Sequence, residues 1–189
     1  PLLEERWKIL KEIGTTLQEN YEGDFIKFIN GAEGDATKLL NLIIETFPSF
    51  KDTALYDNKE ILFYKRAQLL VADIYQAFKG KSYGNLKNIS QLTACADYKL
   101  PQILRKNGIL IYSKELGKKI DNKIQLEKGS KEEIEIRACT IWAVKYLERL
   151  LEPKIPYIDS IHVNDHLWLL SQNKFPDDKP YHRTRTISY

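Results

Sequence analysis

The sequence predicts an all-α fold, arranged as one compact helical domain over residues 1–189. Almost every segment with a clear apolar period repeats at three or four residues, which is the spacing of one helix face. Cap signals bound these segments, the clearest being the capping box of Ser130 and Glu133. Strand signals are weak. They are limited to "ILIY" and the "EIEI" alternation, and length and caps favour a helix for the latter.

Four helices are predicted in the first half of the chain. The stripe of the first helix is formed by Leu3, Trp7, Leu10 and Ile13. The second helix, "GDFIKFINGA", is short and is followed by two longer ones. The bounding residues are Gly31 for the second helix, Asp35 and Pro48 for the third, and Asp57 or Asn58 with Gly80 for the fourth.

Three further helical regions are predicted in the second half, before its last fifteen residues. The stretch "NISQLTACADYKLPQILRKNGILIYS" is interpreted as a helix, a tight turn and a second helix that Gly108 terminates. A strong helix follows Ser130 and ends before Pro153. "IDSIHVNDHLWLLSQN" is a further helix candidate, and "FPDDKPYHRTRTISY" is expected to be an irregular tail.

Composition argues against a dedicated DNA-coating surface, because 29 basic residues face 26 acidic ones and the net charge is +3. Cys95 and Cys139 lack metal-ligand spacing and are expected to be buried, reduced thiols. With no long apolar run or signal-peptide pattern, a soluble cytoplasmic protein is expected. The chain lacks methionine and begins at Pro1 directly before a helix signal, so we expect it to be part of a longer protein.

The fourth predicted helix carries charges within a core-like run, "FYKRAQLLVADIY". Lys65 lies on the stripe opposite the predicted core face, together with Leu69 and Ala72, and Arg66 lies at its edge near Asp73. One interpretation is a helix with two buried sides whose lysine reaches water. The other is a lysine held in a semi-apolar cleft, where its charge is used in chemistry. Periodicity leaves both open.

The second candidate position is Asp97 in "CADYKLPQIL", at the expected start of a helix. Aspartate is among the best N-cap residues, so a purely structural role is one interpretation. The alternative is a carboxylate at a helix junction facing a cleft. Such a group can stabilise the oxocarbenium-like transition state of nucleoside bond cleavage, or orient the attacking water.

Four stretches, in order, resemble the queuosine salvage protein family: "FYKRAQLLVADIY", "LTACADYKLPQILRKNGILIYS", "GSKEEIEIRACTIWAV" and "PYHRTRTISY". The resemblance implies hydrolysis of the N-glycosidic bond of queuosine 5'-monophosphate, releasing queuine for tRNA modification. It also implies an all-α fold similar to that of helix-hairpin-helix DNA glycosylases. No cofactor is implied, and the expected partner is the small nucleotide, without a stable nucleic-acid complex.

The same resemblance assigns roles to individual residues. Asp97 matches the catalytic aspartate, and Lys65 matches a lysine across the cleft that keeps the aspartate ionised. Arg66, Tyr98, His182 and Arg183 are predicted to bind substrate, the basic "YHRTR" segment being a candidate for the 5'-phosphate.

The chain departs from the family pattern at Asn164 and in "LTAC", where relatives carry bulkier residues, and two other functions stay open. Relatives carry aspartate where "VNDHLW" has Asn164, so any role of that aspartate is in doubt here. His162 and His166 are spaced for a metal but have no evident third ligand, so no metal site is predicted. The alternative functions are a DNA glycosylase and a helical tRNA-binding module.

Overall fold

A computed structural model of the chain describes residues 2–173, 175–176 and 178–189; Pro1, Lys174 and Asp177 lie outside this description. The described residues form two compact units. The first comprises residues 2–52 and 64–92 with Ser188, and the second comprises residues 53–63, the described part of 93–187, and Tyr189.

Four α-helices form the described part of the first unit. They are α1 (Leu3–Tyr21), α2 (Phe25–Asn30), α3 (Ala36–Thr46) and α4 (Lys65–Ala77). Short 3-10 helices lie at Pro48–Phe50, Ser82–Gly84 and Ile89–Gln91. The predicted cap of α3 is confirmed, because Asp35 accepts hydrogen bonds from the backbone N–H groups of Thr37 and Lys38.

The core of the first unit is aromatic at one end and aliphatic between α3 and α4. The ring of Phe28 lies 5.2 Å from that of Tyr21 and 5.1 Å from that of Phe47, measured between centroids. Leu39 and Ile43 of α3 are fully buried, and α3 packs against α4.

Helix α1 is formed as predicted, but most of its apolar stripe is exposed among the residues that the structure describes. Leu3, Trp7 and Leu10 are 81%, 65% and 64% exposed, whereas Ile9 is buried. The spacing of apolar residues therefore predicted the helix correctly but did not identify which of its faces is buried in this chain.

The second unit contains helices and two small sheets. Its helices are α5 (Lys99–Lys106), α6 (Lys114–Asp121), α7 (Lys131–Leu151) and α8 (Ser160–Leu170). Its strands are β1 (Thr53–Tyr56), β2 (Lys59–Leu62), β3 (Gln125–Leu126) and β4 (Arg183–Thr184). The pair β1–β2 is antiparallel and the pair β3–β4 is parallel.

The all-α prediction is therefore wrong, and nothing in the described residues supports the expected likeness to helix-hairpin-helix DNA glycosylases. Asp57 and Asn58, predicted to cap a helix, are the two central residues of the β1–β2 hairpin. Both have positive φ angles, of 46° and 63°. A two-residue hairpin turn of this type needs positive φ at both positions, and Asp and Asn tolerate it better than most residues.

The main core of the second unit lies among α5, α7 and α8. Its buried side chains include Leu100 and Leu104 of α5, Val144 of α7, and Val163 and Leu167 of α8. Helix α7 begins as predicted, because Ser130 Oγ accepts a hydrogen bond from Glu133 N. These three helices hold the irregular segment that contains Asp97.

Two local predictions in this unit were wrong. Residues 93–96 are irregular instead of helical, whereas α5 begins at Lys99, within the predicted turn or helix start. Cys95 is buried as predicted, but Cys139 is exposed on α7. Helical spacing did not distinguish the covered thiol from the exposed one, because both lie among apolar neighbours in the sequence.

Candidate functional site

Asp97 ends a buried segment that has no regular secondary structure. Ala94, Cys95 and Ala96 are at most 3% exposed, and Asp97 is 8% exposed. A buried irregular segment must satisfy its backbone polar groups outside a helix or sheet ladder. The groups that do so here determine where the Asp97 side chain lies.

The Asp97 carboxylate caps α5 through one of its two oxygens. Oδ1 accepts hydrogen bonds from Lys99 N at 2.7 Å and from Leu100 N at 3.1 Å. Among the described residues no hydrogen bond engages Oδ2. The structural and chemical interpretations of Asp97 are therefore compatible, since one oxygen anchors the side chain and the other remains available.

Two side chains from different helices bind the backbone immediately before Asp97. Asn164 Oδ1, on α8, accepts a hydrogen bond from Cys95 N at 2.9 Å. Arg137 Nε, on α7, donates to Ala96 O at 3.2 Å. Ala96 N donates to Ala94 O at 3.0 Å. The two residues that precede Asp97 are thus each bound by a buried polar side chain.

Arg137 is itself enclosed in a buried network. It is 2% exposed, and its Nη1 lies 3.6 Å from Oε1 of Glu133, which is 1% exposed. Its guanidinium carbon lies 3.8 Å from the ring centroid of Phe63 and 4.6 Å from that of Tyr189. The Tyr189 hydroxyl donates to Glu133 Oε1 at 2.9 Å. Rings on the guanidinium and a carboxylate beside it fix its orientation.

His182 belongs to the same network as a neutral ring. It is 2% exposed, and its Nε2 lies 3.3 Å from the Tyr189 hydroxyl oxygen. Burial, with the positive charge of Arg137 as a second cause, lowers the pKa of His182 from 6.5 to about 4. Its other nitrogen, Nδ1, is buried without a hydrogen-bond partner among the described residues. The predicted substrate contact of His182 stays a prediction.

Tyr98 lies next to Asp97 and is partly open to solvent. Its ring centroid is 4.7 Å from that of Tyr181, and the two residues are 37% and 38% exposed. Partial burial raises the pKa of Tyr98, and the negative charge of Asp97 adds to this effect. An accessible aromatic pair beside a carboxylate offers a surface on which a flat base can stack.

Arg183 follows His182 and is exposed on the short strand β4, where it is paired with Gln125 of β3. The buried ring of His182 and the exposed guanidinium of Arg183 alternate along the chain, as side chains do in extended backbone. Arg183 can therefore meet a phosphate from solvent, while its backbone is fixed by the β3–β4 pair.

Lys65 and Arg66 belong to the first unit, at the start of α4. Lys65 is half-buried, and its backbone N–H faces Asp52 Oδ2 at 3.4 Å. The guanidinium carbon of Arg66 lies 4.4 Å from the Phe50 ring centroid, and its Nη1 donates to Ser49 O at 3.4 Å. Burial lowers the pKa of Arg66. The predicted approach of Lys65 to Asp97 stays a prediction.

A cleft of about 590 Å³ in the second unit is lined by other residues. Its walls include Arg105, Tyr112, Lys118 and Asp121 but not Asp97. Arg105 Nη1 is bound to Asp121 Oδ1 at 2.8 Å, and two lysines of the lining leave this cleft with an excess of positive charge. Within the described residues no cluster of three metal-ligating side chains occurs. No helix there is long and apolar enough to cross a membrane.

Comparison with known families gives a match over the whole chain. The model of the family described as queuosine salvage protein matches residues 1–189. The chain belongs to the queuosine salvage protein family. The resemblance predicted from the four sequence stretches is thereby confirmed.

Relatives of this family occur in distant organisms. The chain is 43% identical over 189 residues to a protein of Sphaerobacter thermophilus, and 44% identical over 198 aligned residues to one of Mus musculus. A protein of Dictyostelium discoideum is 35% identical over 189 residues. Each is named queuosine 5'-phosphate N-glycosylase/hydrolase. The whole chain is covered in each case, but it spans only 58% to 59% of the relatives' length.

Three buried residues around Asp97 are not predicted as site residues from the sequence. Glu133 and Arg137 lie four residues apart in "EEIEIRACTIWAV", where charges usually indicate a solvated face. The available signal is that they share a helix stripe with Thr140 and Val144, both fully buried. Asn164, noted only as a departure from the family pattern, binds the Cys95 backbone.

Proposed function

We propose that this chain is part of an enzyme that hydrolyses the N-glycosidic bond of queuosine 5'-monophosphate. Water would replace the base at the anomeric carbon, giving queuine and ribose 5-phosphate. The observation that supports this most strongly is the Asp97 carboxylate, with Oδ1 bound to the start of α5 and Oδ2 available. Membership of the queuosine salvage family and the names of its relatives supply the substrate.

Asp97 has the chemistry that the reaction needs. As the bond from sugar to base breaks, its electron pair leaves with the base and positive charge develops on the sugar. An oriented carboxylate stabilises that charge, or accepts a proton from the attacking water. Because Oδ1 is already occupied, Oδ2 would perform this step without further ordering of the side chain.

Lys65 would act on Asp97 electrostatically. A cation close to a carboxylate favours the ionised form, so this lysine would keep Asp97 charged and in place. A covalent bond between Lys65 and the sugar is the less favoured alternative for a hydrolase. The half-buried start of α4 is consistent with a lysine of restricted orientation.

Four residues would bind the nucleotide. Tyr98 would stack on the base, supported by the neighbouring ring of Tyr181. Arg183 would bind the 5'-phosphate, because an exposed arginine fork matches phosphate oxygens. Arg66 and His182 are further proposed contacts to the nucleotide.

The proposed setting is a cytoplasmic enzyme that acts on a free nucleotide and forms no stable complex with nucleic acid. Residues 1–189 would form one domain in the C-terminal part of that enzyme. A net charge of +3 agrees with a small anionic substrate more than with a nucleic-acid surface.

The test is release of queuine from queuosine 5'-monophosphate by a protein of the relatives' full length that contains this sequence. We expect Asp97→Asn to lower turnover at least about 100-fold, because the amide lacks the carboxylate charge. The fold should persist, since the amide oxygen still accepts from Lys99 N. Asp121→Asn, which alters a carboxylate of the same unit paired with Arg105, is the matched control and should retain turnover.

Two further variants test the supporting residues. Lys65→Ala should lower turnover strongly, and an unchanged rate would return this lysine to a surface role. Arg183→Ala should reduce the preference for the phosphorylated over the unphosphorylated nucleoside. Normal turnover in Asp97→Asn would refute the catalytic assignment, and tRNA binding without any release of queuine would favour a binding module.

A further inference from the structure

We propose that Asn164 and Arg137 are positioning residues, which hold the backbone of Cys95 and Ala96 and thereby place the Asp97 carboxylate. This inference rests on the proposed function, because it assigns a purpose to the placement of Asp97. Neither side chain needs to touch substrate in order to act in this way.

The segment before Asp97 depends on side chains for its conformation. Residues 92–97 belong to no helix or strand, yet Ala94, Cys95 and Ala96 are buried. Asn164 accepts from Cys95 N at 2.9 Å, and Arg137 donates to Ala96 O at 3.2 Å. Because a buried loop has no ladder to fix it, these two bonds contribute directly to its path.

Both polar groups of the Asn164 side chain hold partners within the protein. It is 5% exposed, its Oδ1 binds Cys95 N, and its Nδ2 donates to Asp165 Oδ1 at 3.0 Å. A buried side chain whose amide oxygen and nitrogen are each held by the protein is poorly placed to bind a ligand. Its effect on the reaction would therefore pass through the backbone to Asp97.

Arg137 is similarly fixed on every side. The rings of Phe63 and Tyr189 lie at 3.8 and 4.6 Å from its guanidinium carbon, and Glu133 lies at 3.6 Å from Nη1. The donor Nε is consequently held in one direction, toward the carbonyl of Ala96. A lysine at this position keeps a positive charge but cannot reproduce the planar fork.

The decisive experiment is a pair of substitutions at Asn164 in the full-length protein, with release of queuine measured as kcat and KM. Asn164→Leu removes the acceptor for Cys95 N while keeping similar size, and Asn164→Asp retains an acceptor. We expect kcat to fall about 100-fold in Asn164→Leu with KM nearly unchanged, because a misplacement of about 1 Å has this effect. Asn164→Asp should restore part of the lost kcat, because it keeps an acceptor for Cys95 N but loses the donor to Asp165 Oδ1.

Thr140→Val is the matched control. It removes a buried hydroxyl of α7 that donates to Ile136 O, one turn from Arg137 and without a bond to the Asp97 segment. Its kcat should equal that of the wild type. Arg137→Lys provides a second variant if Asn164→Leu does not fold, and its kcat should fall at least about tenfold with little change in KM.

The outcomes separate this inference from the proposed function. Wild-type kcat in Asn164→Leu or in Arg137→Lys would overturn the positioning role, as would equal losses in Asn164→Leu and Asn164→Asp. An equal loss in Thr140→Val would also overturn it, since any buried change would then suffice. Failure of the wild type to release queuine, or normal turnover in Asp97→Asn, would instead refute the proposed function.

Discussion

Acid should destabilise the second unit through one buried histidine. His182 is 2% exposed, and its pKa is lowered from 6.5 to about 4 by burial and then by Arg137. The folded protein therefore resists protonation of this ring, while the unfolded chain accepts a proton near pH 6.5. The stability due to neutral His182 is complete above pH 6.5 and is lost progressively as the pH falls toward about 4.

The size of this effect follows from the two pKa values. The difference between 6.5 and about 4 corresponds to about 3 kcal/mol when protonation is complete. By pH 5 about 2 kcal/mol of unfolding free energy should be lost, because the unfolded histidine is then almost fully protonated and the folded one is not. A loss of this size is a large fraction of the stability of an ordinary domain.

The assay compares the urea unfolding free energy of wild type and His182→Gln at pH 7 and pH 5. The variant has no titrating ring at this position. The unfolding free energy of the variant minus that of the wild type should therefore rise by about 2 kcal/mol from pH 7 to pH 5. Other acidic groups cancel in this difference. A difference that does not change with pH would refute the reasoning, as would an equal change in His166→Gln, which alters an exposed ring.

Two predictions concern the fold. Gly84→Ala should lower the unfolding free energy by about 1–3 kcal/mol in urea denaturation, because an added Cβ would lie 2.7 Å from Phe78 Cβ and 2.8 Å from Ile74 O. Full stability in this variant would show that the 3-10 helix moves easily. Asn58→Val should lower the unfolding free energy by about 1 kcal/mol, because Asn58 has a φ of 63°, which a β-branched residue adopts poorly. Asn58→Gly should not lower it, since glycine adopts positive φ readily, and equal effects of the two substitutions would contradict the assigned turn.

Cap chemistry allowed the sequence to predict several helix boundaries. Asp35 and Ser130 each accept the backbone hydrogen bonds expected of an N-cap, and α3 ends at Thr46, shortly before Pro48. These signals are local, since the side chain and its backbone partner lie within three residues. Their success needs no knowledge of distant parts of the chain.

The sheets were missed because their signals compete with a helical period or are too short. The hairpin residues "TALYDNKEIL" precede α4 by only two residues, and Asp57 and Asn58 are good cap residues as well as good turn residues. Strands β3 and β4 have two residues each and are paired across more than fifty residues of sequence. A pair this short and distant has no period to detect.

The sequence suggested the importance of Asp97 but not the means of holding it. Its position before "YKLPQIL" predicts a cap, and the structure confirms the bonds to Lys99 and Leu100. The bonds from Arg137 and Asn164 join residues 41 and 69 positions apart. Such contacts depend on how α7 and α8 pack beside α5, which helical spacing alone does not determine.

The buried charges on α7 are better explained by orientation than by stability. Replacing a buried ion pair by apolar side chains is often neutral or stabilising, so the Glu133–Arg137 pair is weak evidence of a stronger fold. An apolar side chain at position 137 would nevertheless leave the buried carbonyl of Ala96 without the donor that Arg137 Nε supplies. That carbonyl belongs to the residue directly before Asp97. We therefore infer that these charges serve to place the Asp97 carboxylate. Substitutions of Glu133 or Arg137 should then affect kcat more than the free energy of unfolding.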